Sequence, residues 1–209
     1  MTSPLSGVAA RMVAGLAALA TAVVLSACTT PAAPDGHTDH THAESSPVIS
    51  TQPADFNADD VAFATDMTPH HQQAIEMSAM VPDHTTNPQV IALAKEISAA
   101  QGPEIDTFKA LLVQWQEDPG ADSAHGGHGD MAMNGMVDDP TMQRLDSLKG
   151  PEFDTLWLQS MIGHHQGAIE MAKAELAKGE NVDAKQLAQN IVSTQQTEID
   201  QMKQMLGTS

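Results

Sequence analysis

The stretch MTPHHQQAIEM, from Met67 to Met77, recurs as MIGHHQGAIEM, from Met161 to Met171. Eight of the eleven positions are identical at a constant offset of 94 residues, and the identical ones include both histidines and both methionines. The same offset relates Ile97 to Ile191, Gln101 to Gln195, and the run Glu104, Ile105, Asp106 to Glu198, Ile199, Asp200. A repeat of this length is a structural unit copied once, and each copy spans two helical segments.

In helical register, Phe63, Met67, His70, His71, Ala74, Ile75 and Met77 gather on one face, with Gln72, Gln73 and Glu76 on the other. Histidines and methionines therefore point wholly or partly into the core. The second segment of each unit carries an apolar stripe with a carboxylate in its middle. Glu104 sits among Ile97, Ile105, Phe108, Leu111 and Leu112, and Glu198 among Ile191, Ile199, Met202 and Leu206. A buried carboxylate is costly unless it is paired, protonated or close to a metal. The alternative is a glutamate whose stem packs while its head escapes to the helix edge. In an antiparallel hairpin His165 and Glu198 lie level, about 20 and 22 Å from the turn. In the first unit the match is looser by about a turn, a difference that a kink at Gly102 would absorb.

The boundaries follow from local signals. The first helix begins near Asn57, with Asp59 and Asp60 in its first turn, and runs to about Met80, where Val81 and Pro82 end it. The second starts at Asn87 and Pro88, is kinked at Gly102 and Pro103, and stops at Asp118, Pro119 and Gly120. Asp139 and Pro140 read as cap and first residue of a short helix, residues 139–149. Pro151 and Glu152 open a long helix that closes at Gly179. Asp183 with Gln186 resembles a capping box for the last helix, which Gly207 ends. Pro69 and Gly163 precede the two His-His pairs. They are either tolerated kinks or distortions that swing adjacent histidines toward one site.

Residues 1–27 hold one base, Arg11, no acid, and an apolar stretch from about Val13 to Leu25, the pattern of an export signal. Leu25, Ser26, Ala27 and Cys28 resemble a lipobox, which implies cleavage before Cys28, its acylation, and attachment of the chain to the outer face of a bacterial membrane. The alternative is an incidental small residue near an ordinary cleavage site. Cys28 is the single cysteine, so no intrachain disulfide can form. Residues 28–54, rich in Pro, Ser, Thr and Ala, read as a disordered tether. Its His37, His40 and His42 are either a loose metal-holding tract or solvated side chains. The folded part is then 55–209: unit one 55–118, a Met- and His-rich loop 119–138, the short helix, and unit two 150–207. The loop carries His125, His128, Met131, Met133 and Met136, a candidate metal-capturing set.

With 9 basic against 27 acidic residues, a formal charge of −18, the chain is a poor partner for nucleic acid and suits an envelope protein that gathers cations. It holds no Gly-x-Ser-x-Gly turn, no phosphate-binding glycine loop and no His-Glu-x-x-His zinc signature. Thioether and imidazole are neutral donors, and a site made of Met and His without Cys suits Cu(I) or Ag(I) over hard cations. Met80, Met202 and Met205 are assigned to packing.

The doubled Met-x-x-His-His signature, followed by Gln or Gly, Ala, Ile, Glu, Met, resembles the domain of unknown function 305 family over roughly Asp55 to Leu206. The resemblance implies a ferritin-like four-helix bundle of two similar hairpins, exported from the bacterial cytoplasm, with copper bound in some members. Carried onto this chain, the candidate ligands are Met67, His70, His71, Met77, Met161, His164, His165 and Met171. Glu104 and Glu198 stand as supporting or ligating groups. Three functions remain open: a lipid-anchored protein that sequesters or hands over Cu(I) without catalysis, a di-metal oxidoreductase using Glu104, Glu198 and the histidines, or a structural bundle whose acidic surface meets a protein partner. The second is weakened by the absence of any Glu-x-x-His.

Overall fold

The computed structural model describes residues 54–117, 119 and 134–207. Its elements are α1 (Ala58–His84), α2 (Pro88–Gln114), the short α3 (Asp139–Ser147), α4 (Gly150–Lys178) and α5 (Val182–Leu206). The four long helices form a bundle of two hairpins, α1 with α2 and α4 with α5, which meet chiefly through α1 and α4. Cys28, the histidines of the tether, His125, His128, Met131 and Met133 lie outside the described residues. Among the described residues no helix is long and apolar enough to cross a membrane.

Helix starts follow side-chain oxygens that satisfy the first free backbone amides. Asn57 accepts from the amides of Asp59 and Asp60, while the Asp60 carboxylate accepts from the Asn57 amide at 2.6 Å, a reciprocal capping box. Asn87 caps α2 by accepting from the Gln89 amide. Two expected caps are displaced. Asp138, one residue earlier than expected, caps α3 by accepting from the Thr141 amide. Asn181, not Asp183, caps α5 by accepting from the amides of Asp183 and Ala184. Asn181 stands 94 residues after Asn87, so the repeat itself carried that signal.

Helix α1 also continues past Val81 and Pro82, where an end was expected, to His84. The proline costs a backbone hydrogen bond, but the extra turn seats Val81 in the core at 0% exposure and lets the His84 ring meet the Leu148 carbonyl at 2.7 Å. Tertiary contacts thus outweigh a local stop signal. Helix α2 runs through Gly102 and Pro103 and ends at Gln114, short of Asp118.

The two hairpins are joined reciprocally. Asp60 of the first accepts from the backbone amides of Glu180 and Asn181 in the second, at 3.1 and 2.9 Å. Asp154, its counterpart at the 94-residue offset, accepts from the Asn87 side-chain amide of the first hairpin at 3.0 Å. Helices α1 and α4 are antiparallel, with the Asn57 side-chain amide donating to the Lys178 carbonyl at one end and the Trp157 indole N–H donating to the Met77 carbonyl at the other. Duplication in sequence has become an approximate two-fold relation in space.

Candidate metal centre

Each long helix enters two separate apolar clusters and crosses a polar interval between them. One cluster holds Met77, Leu93, Ile97, Trp157, Met161 and Met202. The other holds Phe63, Met67, Phe108, Leu111, Met171 and Leu187. Between their contributions lie His70 and His71 on α1, Gln101 and Glu104 on α2, His164 and His165 on α4, and Gln195 and Glu198 on α5. This is a polar layer across the middle of the bundle, made of the residues that the repeat duplicates. The four histidines are 0% exposed.

The carboxylates in the apolar stripes face the second histidine of each motif. Glu104 Oε2 lies 2.8 Å from His71 Nε2, and Glu198 Oε2 lies 2.7 Å from His165 Nε2. The first unit closes its contact as tightly as the second. The carboxylate oxygen accepts in each pair, so each imidazole directs Nε2–H at its glutamate and turns Nδ1 away from it. His70 Nε2 likewise donates to the Asn134 carbonyl at 3.2 Å. His71, His165 and His70 thus each present a buried Nδ1 without a hydrogen-bond partner, while both ring nitrogens of His164 lack one. His70 and His164, equivalent positions of the two repeats, meet with ring centroids 3.8 Å apart and planes tilted by 37°.

Electrostatics keep this pair neutral. Burial, followed by the charge of nearby His71, holds the His70 imidazole down at about 3, against the small opposing effect of the Asn134 carbonyl. Burial, then the neighbouring His70, His165 and His71, pushes His164 well below its ordinary value. Protons therefore do not compete for the ring nitrogens of His70 and His164 at neutral pH.

The methionines flank the imidazoles in two crossed pairs. Met67 and Met171 share one apolar cluster, Met77 and Met161 the other, and all four are buried. Among the described residues no group of three or more His, Cys, Asp or Glu side chains is placed to hold a metal ion. Met202 is buried in the first cluster, with Met80 and Met205 packed against it. Helices α1 and α4 run unbroken through Pro69 and Gly163.

Sequence reasoning missed Gln101 and Gln195 as members of the layer. Each is 2% exposed, and both the nitrogen and the oxygen of each amide lack a partner. Their signal was present, since each stands between isoleucines four residues away on either side and repeats at the 94-residue offset. Asn134 carried no such signal, because its contact with His70 spans 64 residues.

A four-helix bundle of two repeated hairpins with paired histidines at its centre defines the class. Residues 60–206 match the domain of unknown function DUF305, and the chain belongs to that family. It is similar to the crystal structure of a DUF305 protein from Streptomyces coelicolor, with 34% identity, a TM-score of 0.66, and coverage of 71% of this chain and 91% of the other. A DUF305 fragment from Deinococcus radiodurans is 29% identical, with a TM-score of 0.65 over 76% of this chain and 100% of that one. CopM in its Cu(I)-bound form is 31% identical, with a TM-score of 0.59 over 70% of this chain and 94% of that one. CopM structures with Ag and with Cu(II) also match. No curated protein matches the chain.

Proposed function

We propose that this protein binds Cu(I), and Ag(I) by the same chemistry, through Met67, His70, His71, Met77, Met161, His164, His165 and Met171, and sequesters the ion or hands it on. One observation carries the reading: three Nδ1 atoms and both His164 nitrogens are buried without hydrogen-bond partners, between two pairs of buried methionines. Buried unpartnered donors and acceptors destabilise a fold, so a core that retains them twice supports a ligand. Similarity to CopM in its Cu(I)- and Ag-bound forms supports the same reading.

The donor set explains the choice of ion. Thioethers and neutral imidazoles are soft to intermediate ligands that favour a d¹⁰ monovalent ion. Such an ion brings one positive charge into the core, and the carboxylates of Glu104 and Glu198 behind His71 and His165 offset it. Their role is orientation: a carboxylate on Nε2–H fixes the ring and raises the basicity of Nδ1. The same contact occupies one oxygen of each carboxylate that a di-metal oxidoreductase would need, which favours binding over catalysis. We place the protein outside the cytoplasm, anchored through Cys28 and supporting copper tolerance or homeostasis. The tether histidines and the loop set His125, His128, Met131, Met133 and Met136 serve as acquisition ligands.

The test is an anaerobic competition titration of residues 29–209, which leaves out the Cys28 thiol, with Cu(I) against a colorimetric chelator. The expected result is tight binding of defined stoichiometry, with ions lost when His70, His71, His164 and His165 are replaced by alanine. Failure of the parent protein to compete would refute the proposal, and oxygen-dependent absorbance after Fe(II) addition would then favour the oxidoreductase.

A further inference from the structure

Segment Asn134–Val137 crosses the middle of α1 and α4 where His70 and His164 meet. At one end the Asn134 carbonyl accepts from His70 Nε2 at 3.2 Å, and the Asn134 side-chain amide donates to the Glu170 carboxylate. At the other end Gln73 pairs in both directions with the backbone of Val137, its Nε2 donating to the carbonyl at 2.8 Å and its Oε1 accepting from the amide at 2.7 Å. Between them Gly135, at φ +79°, lies so close to α4 that a Cβ there would meet the Gly163 carbonyl oxygen at 2.7 Å and the Gly167 Cα at 2.9 Å. A Cβ on Gly167 would in turn overlap the carbonyl group of Asn134.

These contacts account for one departure from the repeat. The two motifs differ at three positions, and at one of them Gly167 of α4 lies directly under this segment, whereas a Cβ at Gly163 would meet nothing. Gln73, the counterpart of Gly167, is the side chain that holds it on α1. One copy supplies an amide and the other supplies a gap. The duplicated core has diverged where a single segment must lie across both halves. The segment also breaks the symmetry of the imidazoles, since His70 Nε2 has a carbonyl partner and His164 Nε2 has none.

Resting on the Cu(I) reading above, we infer that Asn134–Val137 is a latch over the imidazole pair, which fixes His70 with its hydrogen on Nε2 and sets the rate at which a bound ion exchanges. While the latch is closed, His70 offers only Nδ1 and both rings are sealed at 0% exposure. Release of Asn134 frees His70 Nε2 and uncovers the pair. Gln73, Gly167 and Asn134 are positioning residues and not ligands.

The experiment compares the parent protein with Gly167→Ala and Gln73→Leu, residues that bear no donor to the ion. Alanine favours helix over glycine, so α4 is retained, and circular dichroism verifies this. Three quantities are read: hydrogen exchange at the amides of residues 135–137, of which the Val137 amide donates to Gln73, the tautomer of His70 from its imidazole nitrogen shifts, and the rate at which preloaded Cu(I) passes to excess chelator. Two lost hydrogen bonds, or one steric displacement, correspond to about tenfold more opening. Both variants are expected to exchange these amides faster, to lose the fixed Nε2–H form, and to release Cu(I) about tenfold faster with stoichiometry unchanged. Faster amide exchange with an unaltered release rate would overturn the latch and leave the copper reading intact. Unchanged amides and tautomer in Gly167→Ala would do the same. A parent protein that never loads Cu(I) would sink both readings together.

Discussion

Replacing Glu198 by leucine removes the acceptor behind His165 while keeping an apolar stem in the stripe. The lost contact is a 2.7 Å bond between an imidazole with no exposure and a carboxylate whose side chain is 10% exposed. A buried hydrogen bond to a charged group contributes about 1.5–3 kcal/mol, and its loss here strands a buried Nε2–H. With a urea m-value of about 2 kcal/mol/M, the metal-free protein is expected to unfold at roughly 1 M lower urea. The orienting role adds a separate effect, because His165 no longer has a partner that keeps the hydrogen on Nε2. Cu(I) affinity should fall about 10- to 100-fold, the usual cost of losing such a partner. Glu198→Gln retains an acceptor without the charge and should fall between the parent and the leucine variant in both measurements. A double-mutant cycle with His165→Ala then isolates the pair. If Glu198→Leu leaves both the urea midpoint and the competition titration unchanged, the carboxylate neither holds the ring nor tunes it, and the assignment of Nδ1 as ligand atom loses its basis. Glu104→Leu should behave similarly but more mildly, since Glu104 is 15% exposed.

Three further outcomes follow from particular contacts. Gln195→Leu removes an amide with no partner, so the metal-free protein should become more stable by about 1–2 kcal/mol; a loss of stability in urea melts would mean that the amide is already satisfied. Glu175 is pushed up to about 8 by burial and then by the neighbouring Asp60 carboxylate, toward which it can donate only when it holds the proton. Its folded value lies above the unfolded one, so its contribution is complete below about pH 4.5 and is lost as pH rises through 8. Stability should therefore decline between about pH 4.5 and 8 by on the order of 2–3 kcal/mol, after allowance for solvent screening, and Glu175→Gln should flatten that limb; an equal slope in the variant would assign the decline elsewhere. Asp60→Ala strips acceptors from the amides of Asn57, Glu180 and Asn181. The expected cost is about 2–4 kcal/mol by thermal or urea unfolding, whereas a cost below 1 kcal/mol would show that water replaces the carboxylate freely.

Much of the candidate site was legible because the repeat had written it twice. The 3.6-residue period placed the histidines and methionines of both motifs on the inner face, and helix rise alone set His165 level with Glu198. The short-range signals were less dependable. Asp183 and Asp139 are plausible caps, yet Asn181 and Asp138 hold the helix ends, since competing side chains one or two residues apart are separated only by where the chain enters the helix. Pro82 is a genuine stop signal, overridden because Val81 and His84 gain buried partners from across the bundle.

The sequence by itself determined that the chain is two copies of one helical hairpin, and which side chains those copies keep, because periodicity and duplication are properties of order along the chain. Tertiary structure alone decided that the two motifs face each other. It also decided that Gln101 and Gln195 complete a polar layer, that Asp60 and Asp154 tie the halves together, and that Asn134 holds His70. Those contacts join residues 64 to 121 positions apart. No local propensity encodes them, for they arise when apolar faces of four helices pack and bring distant polar groups out of water together.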